Sequence, residues 1–227
     1  DILSMPQYFI QQGYETTGVG KTYDSRCVDK KLDAPSWSIR YGSEKRVYAS
    51  GLGPSFRGFR HPETVAVAAK AKAAVKGKKF KSGSARNRAM ADAAGPMAAP
   101  ATECMDVPDN AYNDGALADA GCRLLEKLSA ADKPFFLSVG FLKPHLPFVA
   151  PKKYWDLYDR AEIALHPFQK RSAGGPELAY HTSGELRSYS NIPRKGDIAP
   201  KQQAELIHGY RACVSYIDAQ VGKLLDK

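Results

Sequence analysis

The chain has 227 residues, 43% of them hydrophobic, which allows one large domain or two small ones with a real core. Its net charge of +9 is concentrated: eight basic residues and no acidic one lie between Lys70 and Arg88, and the remainder carries 25 basic against 24 acidic residues. No apolar run approaches the roughly 20 residues of a membrane span, and the scattered Cys27, Cys104, Cys122 and Cys213 form no CxxC pair, which argues against a zinc site and leaves disulfides undeduced.

The first residues, DILSMPQYFIQQ, show no initiator Met, basic n-region or signal-type h-region, so the chain reads as cut from something longer. From Ile2 to about Gln12, Leu3, Met5, Tyr8 and Phe9 form a helix face that Gly13 ends. Thr16, Thr17 and Val19 read as a short strand, with Gly18 and Gly20 permitting close backbone approach at its end. Residues 22 to about 110 read as mostly irregular, with one helix around Glu63–Val75 and an Ala/Pro-rich tract. The basic block KAKAAVKGKKFKSGSARNR reads as a solvated, open loop, because like charges repel. A sharper reading makes it a segment that attracts a sulfated or phosphorylated polymer through its long-range field. No aromatic ladder or nucleic-acid motif accompanies it, so no specific nucleic-acid partner is expected.

Order resumes at DVPDNAYNDGALADAGCRLLEKL, where Leu117, Ala120, Leu124, Leu125 and Leu128 share a helical face and Asn113 or Asp114 is expected to cap the start. A strand over Phe135–Phe141 follows, then the KPHLPF turn, a short aromatic helix in KKYWDLYD, and a polar loop from Asp159 to about Pro200. The last helix, Lys201 to about Asp226, repeats apolar residues from Leu206 through Leu225. Cys122 and Cys213 fall on apolar helix faces and read as core thiols. Helix–strand, helix–strand, helix predicts an α/β fold whose sheet this chain supplies in part, with a further strand expected after Lys227.

Ligands of open α/β sheets gather beyond the carboxyl ends of the strands. Lys21 and Asp24 follow the first strand, and Lys143 and His145 follow the second. A Lys ammonium is a compact cation suited to a tetrahedral oxyanion. A His can donate to such an anion or pass a proton to a leaving oxygen. Pro144 and Pro147 fix φ and stiffen the turn that carries His145. Sulfate, phosphate and carboxylate ligands all stay open at this point, as does the reading of Lys21 and His145 as plain exposed turn residues. His61 and His208 read as structural or exposed, and Trp37 as a loop-packing anchor more than a sugar platform.

The phrases GYETTGVGKTYD, DAPSWS, DVPDNAYNDG, PFFLSVGFLKPHLPFVAPKKYWDLYD and GYRACVSYIDAQVGKLLD, in this order, resemble the sulfatase family, and within it the iduronate-2-sulfatase-like branch. The matching is poor only over about residues 41–100. The resemblance implies a partial alkaline-phosphatase-like (sulfatase) α/β sandwich with a long irregular insertion. It implies residues 1–227 as the central part of a single catalytic domain, with a basic low-complexity insertion at about 63–100. It also implies hydrolysis of the sulfate ester of a sulfated carbohydrate, in a periplasmic, secreted or lysosomal-type compartment. Such enzymes use a formylglycine, made from the Cys or Ser of a C/S-x-P-x-R motif, and a calcium ion held by acidic residues and a His or Asn.

By the same resemblance Lys21 bridges the sulfate and the formylglycine hydroxyl, while His145 contacts the sulfate and protonates the departing sugar oxygen. Asp24 stands where relatives carry a His, which puts its role in doubt; Lys143, Tyr180 and His181 are further candidates for catalysis or substrate contact. No cysteine stands in a CxPSR context, so the nucleophile and the metal ligands are expected outside this chain, and the chain alone is expected to be inactive. Two alternatives remain: a phosphodiesterase or phosphonate hydrolase of the same superfamily, or a non-catalytic polyanion-binding protein that uses Lys70–Arg88.

Overall fold

The elements of the computed structural model run α1 (Met5–Gln11), β1 (Glu15–Gly20), α2 (Pro62–Val75), α3 (Gly83–Ala94), β2 (Thr102–Met105), α4 (Asn113–Ser129), β3 (Phe135–Gly140), β4 (Phe148–Pro151), α5 (Lys152–Trp155) and α6 (Pro200–Leu225). The structure describes residues 2–24, 33–49, 58–94, 99–181 and 183–227. They divide into two units, one of Asp1–Pro54, Val107–Pro144 and Val214–Lys227, the other of Ser55–Asp106 and His145–Cys213.

In the first unit, Ser4 caps α1 with a capping box: its hydroxyl accepts from the Gln7 N–H, and the Gln7 side chain accepts from the Ser4 N–H. Gly13, at φ +85°, turns the chain out of the helix and into β1. Phe9 stacks on Phe136 with ring centroids 4.9 Å apart, pinning α1 against the sheet. β1 and β3 pair in parallel from Glu15↔Phe135 to Gly20↔Gly140. Such pairing needs a crossover, and α4 precedes β3 and packs on the pair. Its Leu117 and Leu124 meet Val19, with Leu137, Val139 and Phe141 alongside, each full burial contributing about 1.5–3 kcal/mol.

In the second unit, β2 and β4 pair in parallel from Thr102↔Phe148 to Met105↔Pro151. Neither was read from the sequence, since four residues carry too few alternations to show period two. Part of α6 lies over this pair, where a side chain at Gly209 would meet Trp155 and Phe148 at 2.8–2.9 Å. The Cys213 thiol packs there with its sulfur 3.6 Å from the Val149 carbonyl oxygen, in keeping with a core thiol. His208 is buried: its Nε2 donates to the Trp155 carbonyl at 2.8 Å and its Nδ1 accepts from Arg160 at 3.1 Å. Its role is structural, as is that of Trp37 in the first unit, buried between Tyr23 and Tyr41.

Two expectations require correction. The basic block is not an open loop: α2 and α3 form a helical hairpin closed on Ala71, Val75 and Met90, with Phe80 and Ala89 packed against them. Ala71 and Val75, one turn apart on α2, and Met90 of α3 bury against one another while the cations stay in water. Nor does Asn113 or Asp114 cap α4, whose N-cap position is Tyr112 without a side-chain cap. The Asp114 carboxylate is drawn to a more distant pair of donors.

The strand pair depends on glycine at its carboxyl end. A side chain at Gly140 would strike the backbone of Lys21, and one at Gly20 the Gly140 carbonyl and Leu117. Gly140→Ala should therefore destabilise the protein by about 1–3 kcal/mol, the usual range for overpacking. Urea unfolding followed by circular dichroism measures this, and an unchanged midpoint would mean the strand ends separate without cost.

Candidate functional site

The carboxyl ends of β1 and β3, which lead into Lys21 and Lys143, are neighbours in the first unit, because the two strands are adjacent and parallel. The backbone at Lys21 is held from three directions. Its N–H donates to the Gly140 carbonyl at 2.7 Å. The Tyr41 hydroxyl donates to the Gly20 carbonyl at 2.7 Å and accepts from the Thr22 N–H at 3.3 Å. The hydroxyls of Thr22 and Ser138 then join the two strands at 2.7 Å. On this fixed backbone the Lys21 side chain is half-exposed, with its ammonium 3.7 Å from Asp24. An exposed pair of this kind contributes at most about 1 kcal/mol, so an incoming anion can compete for the cation at little cost. Tyr41 carries no motif in the sequence, and only the fold reveals it as a positioning residue.

Beyond β3, the N–H groups of Leu142 and Lys143 both donate to the Asp114 carboxylate, at 3.1 and 2.8 Å. Asp114 is 2% exposed. Its two oxygens set the direction in which the chain leaves the sheet, and the Lys143 side chain is buried with it. The Lys143–Pro144 and Leu146–Pro147 bonds are both cis. The division between the units falls between Pro144 and His145.

His145 is exposed. Its Nδ1 lies 2.7 Å from the Leu146 carbonyl oxygen. A carbonyl only accepts, so Nδ1 carries the proton and Nε2 is the nitrogen available for proton transfer. Glu185 stands 3.6 Å from Nε2 and forms an ion pair with it whenever the ring is protonated. Nothing in the sequence around Glu185 signals this contact. Tyr180 and His181 are held by their own loop. The Tyr180 hydroxyl donates to the Ser172 carbonyl at 2.9 Å while Arg171 lies 4.5 Å over its ring. His181 Nδ1 accepts from the Ser183 N–H at 2.8 Å.

The second unit also contains a cavity of about 610 Å³ lined by Glu103, Cys104, Trp155, Arg160 and Glu205, among others. Two of its carboxylates already serve the fold. Glu103 accepts the N–H groups of Arg60 and His61 at 2.7 and 2.9 Å, and Glu205 accepts the Thr102 hydroxyl at 2.6 Å. Partial desolvation pushes the thiols of the exposed Cys104 and the half-buried Cys122 above their ordinary value, which favours the protonated form of both. Cys27 lies outside the described residues. Among the described residues no three His, Cys, Asp or Glu side chains gather as a metal site, and no cysteine of the chain stands in a C-x-P-x-R context. A calcium ion and a formylglycine therefore do not fit the described residues. Among these residues no helix is long and apolar enough to cross a membrane.

The family model described as Sulfatase matches residues 1–227. The chain is 27% identical over 229 residues to iduronate 2-sulfatase of Homo sapiens, covering 98% of this chain and 36% of that protein. It is 26% identical over 232 residues to a sulfatase of Formosa agariphila, covering all of this chain and 38% of the relative. A choline-sulfatase of Rhizobium meliloti matches 41% of the chain at 28% identity over 99 residues. The chain thus spans little more than a third of the length of the relatives that cover it.

The Asp114 clamp yields a direct expectation. Asp114→Ala leaves two backbone donors without their acceptor, at a cost of about 1–3 kcal/mol. Hydrogen exchange at the Leu142 and Lys143 amides should accelerate selectively over that in β1, with Asp114→Asn in between. Equal protection in all three proteins would show that other groups hold the turn.

Proposed function

From the premise that the chain belongs to the sulfatase family, we propose that the whole protein hydrolyses the sulfate ester of a sulfated carbohydrate, with Lys21 and His145 in the reacting site. The observation that carries this reading is the backbone clamp on Lys21: a half-exposed ammonium held at the carboxyl end of a parallel strand, beside the strand that leads to the KPHLPF turn. The carbohydrate is supported by the name iduronate 2-sulfatase carried by the human relative. Residues 1–227 form, in this reading, the central part of one catalytic domain. The calcium ion and the formylglycine are placed outside the described residues, and the compartment is periplasmic, secreted or lysosomal-type.

The roles follow from the chemistry of the ester. Breaking the S–O bond leaves negative charge on the departing sugar oxygen and on the sulfate oxygens. The Lys21 ammonium neutralises sulfate charge without forming a covalent bond. His145, with Nδ1 committed to the Leu146 carbonyl, offers Nε2–H as the proton that converts the departing alkoxide into an alcohol. Glu185 faces that same nitrogen and holds the charged ring until the ester oxygen takes its place. Asp24 is an acceptor beside Lys21, suited to a substrate hydroxyl or to modulating the ammonium. Lys143 serves through its backbone, with Asp114 setting the turn.

In the full-length protein, His145→Ala should slow hydrolysis of a sulfate ester with a poor leaving group by about 10²–10⁴-fold, the scale for losing general acid catalysis. An activated aryl sulfate, whose leaving group needs no proton, should be affected far less. Unchanged turnover of both substrates removes His145 from the reaction.

A further inference from the structure

The basic hairpin lies outside the roles described above. Lys70, Lys72, Lys76, Lys78, Lys79, Lys81 and Arg86 are all exposed. Four of them sit in the seven-residue connection Lys76–Ser82 between α2 and α3, and the others flank it on the two helices. Phe80 is packed against Ala71, Val75 and Met90, so the connection is anchored at its centre while the lysines on either side stay in water. The result is a cationic tip on a folded support.

Solubility does not account for this arrangement. A solvated face ordinarily mixes signs, and no carboxylate occurs anywhere between Lys70 and Arg88. Lys72 and Lys76 do favour the carboxyl end of α2, whose dipole attracts cations. The start of α3 shows the opposite preference. Its first turn has no acidic residue, and Lys81 and Arg86 lie close to the positive pole of that helix dipole. A stability-driven sequence would place an acid there. Mutual repulsion together with an unfavourable dipole leaves a surface that gains from an external polyanion.

We propose that the α2–α3 hairpin docks a sulfated polysaccharide, a chain of anionic groups spaced along a flexible polymer. The choice of a sulfated polymer over another polyanion rests on the sulfated-carbohydrate reading above; the docking itself does not. Point-charge lysines suit sulfates of varied position, since an ammonium imposes no bidentate geometry. No exposed aromatic interrupts the block to stack on bases, which disfavours single-stranded nucleic acid. The hairpin would raise the local concentration of polymer and speed its capture without taking part in bond cleavage.

The test uses the full-length protein and a variant combining Lys76→Gln, Lys78→Gln, Lys79→Gln and Lys81→Gln, all exposed positions. Unchanged thermal melting confirms that the variant folds. Binding of heparin, and of duplex DNA of matched charge, is measured by titration from 50 to 300 mM salt. Heparin affinity should fall at least about tenfold in the variant at 100 mM salt, and the slope of log K against log salt should flatten, because fewer counterions are released. Turnover of a small aryl sulfate should stay the same, while KM for a sulfated polymer rises and kcat does not change. Equal heparin affinity and slope in both proteins would overturn the proposal. Tighter binding of the DNA than of heparin would overturn the choice of polymer. A full-length protein that binds heparin through the hairpin but releases no sulfate from any ester would instead sink the sulfatase reading and leave the docking surface standing.

Discussion

The first unit turns on the approach of two glycines, Gly20 and Gly140, at the carboxyl ends of β1 and β3. Neither position has room for a side chain, and that closeness lets the Lys21 N–H continue the ladder one residue past the strand. Leu117 of α4 fits against the same point, so helix and sheet share it. Loosening it would disturb the β1–β3 register, the packing of α4 and the placement of Lys21 together.

Within each unit the charged residues divide into those the fold consumes and those it leaves to solvent. Asp114 is consumed, with its carboxylate answering two backbone donors in a buried place where an unanswered group costs most. Glu103 is consumed likewise in the second unit, where the partly buried Glu205 accepts the Thr102 hydroxyl. Lys21, Asp24, His145 and Glu185 keep exposed or partly exposed side chains in loose ion pairs of 3.6–3.7 Å. Groups of that kind can change partners when a ligand arrives, whereas the buried carboxylates cannot. This separation, more than any single distance, makes the ends of β1 and of the KPHLPF turn candidates for chemistry.

Long periodic segments were legible in the sequence because their signal is local. The face of α4 and the apolar run of β3 appear where the spacing of apolar residues puts them; α1 and α6 form over the expected stretches, but Met5 and Tyr8 of α1 and Tyr210, Val214, Val221 and Leu225 of α6 are exposed rather than buried. The strand ends that carry Lys21 and His145 were legible too, since Gly, Lys, Pro and His mark where a chain leaves a sheet. β2 and β4 were not, being four residues each and defined by each other across more than 40 residues of chain. α3 was hidden by its charge: few apolar residues mark its inner face, and a nascent helix of this kind is marginal until α2 covers it.

Family membership and the α/β class were thus legible from residue identity and order alone, because those properties depend on which groups are present and how far apart they stand along the chain. The tertiary structure decided which group each one meets. Asp114 has the composition of a helix cap, yet it binds two amides nearly 30 residues away; Tyr41 has no motif, yet it holds both neighbours of Lys21. The physical reason is that a polar group satisfies itself with the best-placed donor or acceptor in space, and only folding brings distant donors within reach.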